Sequence, residues 1–419
     1  MAISRATALR VFLPFALGYY MSYVYRAINA VIAPDLVRDF ALNAGDLGLL
    51  TSTYFLTFAA VQLPLGIMLD RIGPRLTDAA LIAVAAIGAV VFATATSRTG
   101  LAVGRGLIGL GVSACLMSAV TAFARTYPRE RLALINGLIF TSGGMGAITA
   151  TAPVEAALGV TDWRGVFLAL AALTALSAAV IYLVVPKDPP PDPALEKPGL
   201  GAQIGEIGAI LKHPAFLQFV PFAVLTQSAN LSMPTLWAGP WLADVAGLAR
   251  ADVAATLMWI AVGLMAGFFT WGVVAERLAR YGIDTVATMI AVSIVYMTVQ
   301  LLIILGLFDA PRVLWVLFSF TGTIGSLAYA AVSQRFPARL AGRVNTVLNL
   351  FVFLGAFGAQ WGIGAIVNLW PGTETGHFAP PGYMAAFTTM LTLEACGLIW
   401  LCVTRAFKLP APRDIAPAS

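Results

Sequence analysis

The sequence predicts an all-α membrane protein of twelve transmembrane helices arranged as two pseudo-symmetric six-helix bundles, and three observations carry that prediction. Of the 419 residues, 59% are hydrophobic and only 11% charged, with a mean hydropathy of +0.87; soluble domains hold about 45–50% apolar and about 25% charged residues. Apolar runs of the roughly 20 residues needed to cross a hydrocarbon core recur twelve times, at 9–33, 47–69, 76–96, 100–124, 132–157, 163–185, 214–246, 252–275, 284–307, 311–334, 341–369 and 383–406. They fall into two groups of six around a proline-rich, charged stretch, PKDPPPDPALEKPGLGAQIGEIGAILKHP (186–214).

The expected organisation is a first bundle over 1–185, a linker over 186–213 and a second bundle with a short tail over 214–419. Clustered prolines cannot continue a helix, whereas GAQIGEIGAILKH can form a short amphipathic one. At the N-terminus the apolar run is long enough to span and no small-residue cleavage site follows it, so it reads as a first span rather than a signal peptide.

Loop charges set the orientation. Eighteen of the 25 Lys and Arg residues, among them Arg71, Arg75, Arg277 and Arg343, fall on the side of the termini and linker, and only Arg38, Arg98, Arg164, Arg250 and Arg312 fall on the other. The positive-inside rule therefore places both termini and the linker in the cytoplasm. The net charge of +5 is a topology signal and not a nucleic-acid patch. Cys115, Cys396 and Cys402 lie in apolar segments without metal-ligand spacing, and the two histidines, His213 and His377, fall in predicted loops. No GxxxxGK[ST] phosphate loop is present, so neither metal nor cofactor nor enzymatic chemistry is expected.

The halves echo one another. YPRERLALIN (127–136) matches FPARLAGRVN (336–345) in its aromatic-Pro start and its Asn eight residues after the proline, and GIMLDR (66–71) pairs with GVVAER (272–277). Internal repetition of this kind is common in transporters.

Ionisable residues inside spans are costly and usually face a cavity. Those singled out are Arg26, Arg105, Glu155 and Glu394. Helical spacing puts Tyr19, Tyr23 and Arg26 on one face, with Ser22 and Asn29 beside them. A guanidinium with aromatic neighbours suits a carboxylate or phosphate, because it offers paired donors and keeps its charge. Glu155 reads as interfacial, and Glu394 as a deep residue of a span outside the cavity. Span seven, LTQSANLSMPTLWAGPWL (225–242), adds Gln227, Ser228 and Asn230, with Pro234 and Pro240 breaking the helix and Trp237 and Trp241 one turn apart. Trp241 reads equally as lining or as an interfacial belt residue. Asn345, Asn349 and Gln360 of span eleven, with Asn136 and Thr141 of span five, are weaker members of the same polar lining.

GIMLDRIGPR (66–75) resembles the signature loop of the major facilitator superfamily, with Pro74 in place of one basic residue. GRGLIGLGVSA (104–114) resembles the family's span-four motif through Arg105, Gly109 and Gly111, and WRGVF (163–167) also looks typical. The resemblance implies a gate latch of Gly66, Asp70, Arg71 and Arg75, with Asp70 meeting the start of span eleven near Arg343. Glu276 and Arg277 would form a weaker copy near Arg131. YRAIN (25–29) resembles the first-span region of anion:cation symporters and organophosphate antiporters, where the Arg binds the substrate anion; Arg26 inherits that role. Nitrate porters carry an Arg within spans two and eight, and this chain has none there.

The reading that results is a secondary active or facilitative transporter that moves a small organic anion of carboxylate type by alternating access. It would sit as a monomer in a bacterial inner membrane, with a proton or other ion as possible coupling partner. Arg26, Tyr19, Tyr23, Asn29, Gln227, Asn230, Trp237 and Asn349 would bind substrate. A proton-coupled drug or metabolite exporter is the alternative, suggested by the glycine-rich GLIFTSGGMGAITATAP (137–153).

Overall fold

The computed structural model describes residues 5–187, 200–307, 310–337, 340–372 and 377–405. The proline cluster of the linker and the C-terminal tail lie outside the described residues. Every described element is helical, and the helices make twelve crossings. Spans one to six are Arg5–Ala27 with Asn29–Phe40, Ala44–Arg71, Pro74–Thr94, Arg98–Val112 with Cys115–Thr126, Arg129–Thr149 with Ala152–Leu158, and Trp163–Val184. After a linker helix, Leu200–Lys212, spans seven to twelve follow. They are Pro214–Ser232 continuing through Met233–Trp237 to Ala238–Asp244, Arg250–Arg280, Thr285–Leu305, Pro311–Gly322 continuing to Leu327–Ser333, Ala341–Val367 and Pro380–Arg405. By length and composition nine of the described helices are apolar enough to cross a bilayer, and ten if the bent pair over 205–244 is one span. The first and fifth spans, which carry the polar and glycine-rich segments noted above, complete the twelve.

Local chemistry explains where these helices begin. The Asn43 side chain accepts from the Asp46 backbone N–H (2.7 Å) while the Asp46 carboxylate accepts from the Asn43 N–H (3.4 Å), a capping box at the start of span two. Asp162 and Asp284 cap spans six and nine in the same sense, accepting from Gly165 N (2.8 Å) and Ala287 N (2.6 Å). Pro74, Pro214 and Pro311 sit in the first turns of their helices, where the missing N–H costs nothing. Pro234 falls inside span seven, and there the helix widens into a π-turn over Met233–Trp237.

Packing within the first half depends on glycine. A Cβ on Gly109 would collide with the backbone carbonyl of Tyr54 in span two, and one on Gly111 with the backbone of Ala85 in span three. Their role is close approach of helices, the driving geometry of association in lipid. Gly66 differs from expectation: nothing lies within 4 Å of where its Cβ would be, so it makes no close helix contact. Between the halves, span two runs along span eleven and span five along span eight.

Gly109→Ala is expected to destabilise by about 1–3 kcal/mol, because backbone rather than a flexible side chain must give way. Gly137→Ala, in open space on a helix, should stabilise by about 0.5–1 kcal/mol. Apparent melting temperatures of the detergent-solubilised variants check both directions.

Candidate functional site

The two halves meet around Arg26. Span one brings Tyr19, Tyr23 and Arg26 to one face as the helical spacing requires: the Tyr19 hydroxyl donates to that of Tyr23 (3.4 Å), and their rings meet edge to face at 5.1 Å. Both rings lie on span five at Gly143, where a Cβ would come within 2.6 Å of Tyr19. The Arg26 guanidinium sits over the rings of Tyr23 (4.6 Å), Phe58 of span two (5.6 Å) and Phe353 of span eleven (5.5 Å). Phe58 and Phe353 stack across the two halves with centroids 4.0 Å apart. Beside them Asn349 donates to Gln62 of span two (3.1 Å) and accepts from the Tyr329 hydroxyl of span ten (3.0 Å). Arg26 Nε is buried without a hydrogen-bond partner, and no ion pair among the described residues includes Arg26. Such a group can take a carboxylate or phosphate oxygen with little competition.

Other predicted members fall elsewhere. Asn29 is buried in the first half with Arg105: with its amide oriented to satisfy both groups, the oxygen accepts from Arg105 Nε (3.1 Å) and Nη2 (2.6 Å), and Arg105 also lies 4.8 Å over the Tyr54 ring. Both sit buried inside the first half, and Asn29 is engaged by Arg105 instead of standing beside Tyr19, Tyr23 and Arg26 as a substrate ligand. Gln227 packs on Gly325 and Asn230 on Gly322, so both face span ten inside the second half. Trp237 is fully buried and donates to the Gln360 carbonyl (3.1 Å). Trp241 packs on Trp315 with centroids 5.6 Å apart, inside the protein and not in an interfacial belt.

Trp237 belongs to a seal on the face opposite the linker. Gln360 donates to the Thr51 hydroxyl (3.0 Å). Gly48 lets span two meet the Gln360 carbonyl, where a Cβ would be 2.8 Å away, and Gly364 and Gly239 admit the backbones of Ala44 and Ala30. At the rim Arg250 at the start of span eight bridges to the first half: its Nη1 and Nη2 donate to Asp35 (3.1 and 2.6 Å), and its Nε lies 2.7 and 2.9 Å from the Glu155 carboxylate oxygens. These residues line a cleft of about 420 Å³ with Arg38, Asp162 and Trp163. Its central cation is already saturated by two carboxylates, which leaves Arg26 as the better anion seat.

On the linker face Arg343 pairs with Glu206 of the linker helix. Glu276 pairs with Arg280 on its own helix (2.5 Å), not with Arg131. Arg75 donates to the Tyr182 carbonyl (3.0 and 2.5 Å) and stacks on that ring at 4.9 Å. Asp70, Arg71 and Arg277 are exposed. Thr141 turns back on the Gly137 carbonyl (3.0 Å), whereas the repeat-related Asn136 and Asn345 each keep a buried Oδ1 without a partner.

Three features escaped the sequence reading. Asp78 is fully buried with both carboxyl oxygens unpartnered; it lies only four residues after Pro74, near the start of the third apolar run, and was not singled out. Gln62 joins the central cluster, a lone amide in an apolar run that could have been flagged. The Arg250 triad joins residues 95 and 215 apart in sequence, a pairing no local pattern reveals.

A twelve-span bundle with a charged, ring-lined centre between its halves defines a membrane transporter architecture. The family model of the Major Facilitator Superfamily matches residues 15–359, and the chain belongs to that family. The hexuronate transporter of Bacillus subtilis is 24% identical over 400 residues, 92% of this chain and 94% of that protein. The niacin transporter NiaP of Acinetobacter baylyi is 24% identical over 358 residues, 82% and 76% of the two. The MFS efflux transporter inpD of Emericella nidulans is 27% identical over 203 residues, and the match spans 48% of this chain and 37% of that protein. Among solved structures, a bacterial homologue of the human lysosomal transporter Spinster, inward-facing and occupied, superposes with a TM-score of 0.76 at 18% identity over 99% of this chain and all of that one.

Replacing Arg250 by Gln removes the bidentate cation of Asp35, which keeps only Arg38 at 3.2 Å, and the cation of Glu155, so the link between the halves on this face weakens. Spin labels at Leu158 and Leu248, on a background without Cys396 and Cys402, should move from a short separation to a broader, longer one. An unchanged distribution would show that helix packing alone holds this face closed.

Proposed function

We propose that the protein is a secondary transporter of small organic anions of carboxylate type, with Arg26 as the anchoring cation, working by alternating access of the two halves in a bacterial inner membrane. The observation that carries this reading is the unpartnered Nε of a buried guanidinium at the junction of the halves. Tyr23, Phe58 and Phe353 present ring faces suited to a flat or CH-rich body beside the carboxylate, and Gln62, Tyr329 and Asn349 present neutral polar groups from both halves. Relatives named for hexuronate and niacin, both carboxylates, support the class. The seal of Arg250, Trp237 and Gln360 favours a state closed opposite the linker; with the linker cytoplasmic, as the loop charges require, the centre would open inward.

Thermal stabilisation of the purified protein by glucuronate and nicotinate tests the class, with tetraphenylphosphonium as the cationic contrast. A ligand at a hundred times its dissociation constant adds about 2.7 kcal/mol. Arg26→Gln should remove at least about 2 kcal/mol of carboxylate binding, roughly thirtyfold. Arg26→Lys should recover only part, since an ammonium cannot reproduce the paired donors. Stabilisation by the cation alone, indifferent to Arg26, would overturn the anion reading in favour of efflux.

A further inference from the structure

Glu394 lies near the middle of span twelve, Pro380–Arg405, at a depth that headgroups and bulk water do not reach. The expectation that this span stands outside the working part of the protein meets an obstacle here: the side chain points into the second half, is fully buried, and neither carboxyl oxygen has a hydrogen-bond partner. Tyr296 and Gln300, one turn apart on span nine, face it. The Tyr296 hydroxyl and the Gln300 Oε1 are likewise buried without partners.

The orientation of Gln300 decides how this group of atoms can be satisfied. Its Nε2 donates to the Phe387 carbonyl at 3.3 Å and lies 3.9 Å from the Met233 sulfur. What remains of the amide is an acceptor that needs a donor. An ionised carboxylate offers acceptors only, so Gln300 and Glu394 would then face each other with oxygens. A protonated Glu394 supplies the missing O–H to Gln300, whereas the Tyr296 hydroxyl can donate to the carboxyl in either state; the Gln300 oxygen is the atom that requires the proton. Tyr296 is the titratable group facing Glu394, and no Lys, Arg or His among the described residues pairs with it. An unpaired carboxylate at this depth costs several kcal/mol.

We propose that Glu394 is a proton-binding site of the transport cycle, occupied in this state, and that Gln300 reports its occupancy to span seven. On release, when a rearrangement of the second half admits water to this depth, the Glu394 O–H bond breaks and the proton passes to that water. The carboxylate left behind needs donors, and the Gln300 amide must turn its NH2 group toward it. That turn abandons the Phe387 carbonyl and Met233. Met233 begins the π-turn of span seven, whose next residues carry Trp237 and Gly239 against the first half. Proton loss therefore loosens the helix that closes the face opposite the linker.

Infrared difference spectra of the wild-type protein against Glu394→Gln, from neutral to strongly alkaline pH, test occupancy without any substrate. The expected result is a protonated-carboxyl band at neutral pH, absent from the variant and converted to carboxylate in alkali; a Glu394 carboxylate band at neutral pH overturns the proposal. Proteoliposomes test coupling, with glucuronate and nicotinate as probes. For one proton per substrate, an imposed gradient of one pH unit drives about tenfold accumulation; the variant should reach none, and its counterflow exchange should lose its dependence on pH. Accumulation that survives in Glu394→Gln, or that follows a sodium gradient instead, overturns the proton site. If the wild type transports neither probe, it is the anion reading that has failed, and the infrared result still decides for or against Glu394.

Discussion

Hydrocarbon cannot solvate a charge, and the rest of this structure follows from how each buried ionisable group is provided for. Arg105 is provided for in part within the first half: Asn29 accepts two of its hydrogen bonds and Tyr54 lies against its face, with Nη1 left unpartnered. Arg250 is shared between two carboxylates of the opposite half. Arg26 has rings on three sides and no acid. These three arginines have the same chemistry and different prospects, because only the last leaves donor capacity unspent at the meeting point of the halves.

The halves are not held symmetrically. On the face away from the linker they are joined by backbone close enough to exclude a Cβ at Gly48, Gly239 and Gly364, by the Thr51–Gln360 and Trp237–Gln360 hydrogen bonds, and by the Arg250 triad. Toward the linker, Gly66, Gly137, Gly272 and Gly342 have nothing within 4 Å of a notional Cβ. Arg343 is held by the linker helix through Glu206, so the linker contributes an ion pair at the start of span eleven. Since spans two and eleven cross the whole thickness together, stacking of Phe58 on Phe353 just below the sealed level fixes where the closed region ends.

Much of this was legible in the sequence, because hydrophobic length, loop charge and glycine spacing are local properties. All twelve spans and the face shared by Tyr19, Tyr23 and Arg26 were read correctly from period and composition. The side on which a polar residue of a buried helix falls was not: Gln227, Asn230 and Asn29 share apolar surroundings on every face, so no amphipathic contrast shows which neighbour each will meet. The partner of Arg343 was illegible for another reason: Glu206 belongs to the linker helix, and no pattern in the signature loop or at the start of span eleven points there.

Arg26 remains without an acid for a reason that bears on its use. A fixed carboxylate beside it would satisfy the charge and, at that geometry, compete with any incoming anion for the same donors. Ring faces do neither. Each cation–π contact offers about 0.5–2 kcal/mol, enough together to make the buried guanidinium tolerable, while leaving Nε without a partner. A carboxylate arriving from water must give up its own hydration, which offsets much of the Coulomb gain. The arrangement therefore favours binding that is selective for anions yet weak enough to reverse when the halves exchange access, as carriage across a membrane requires.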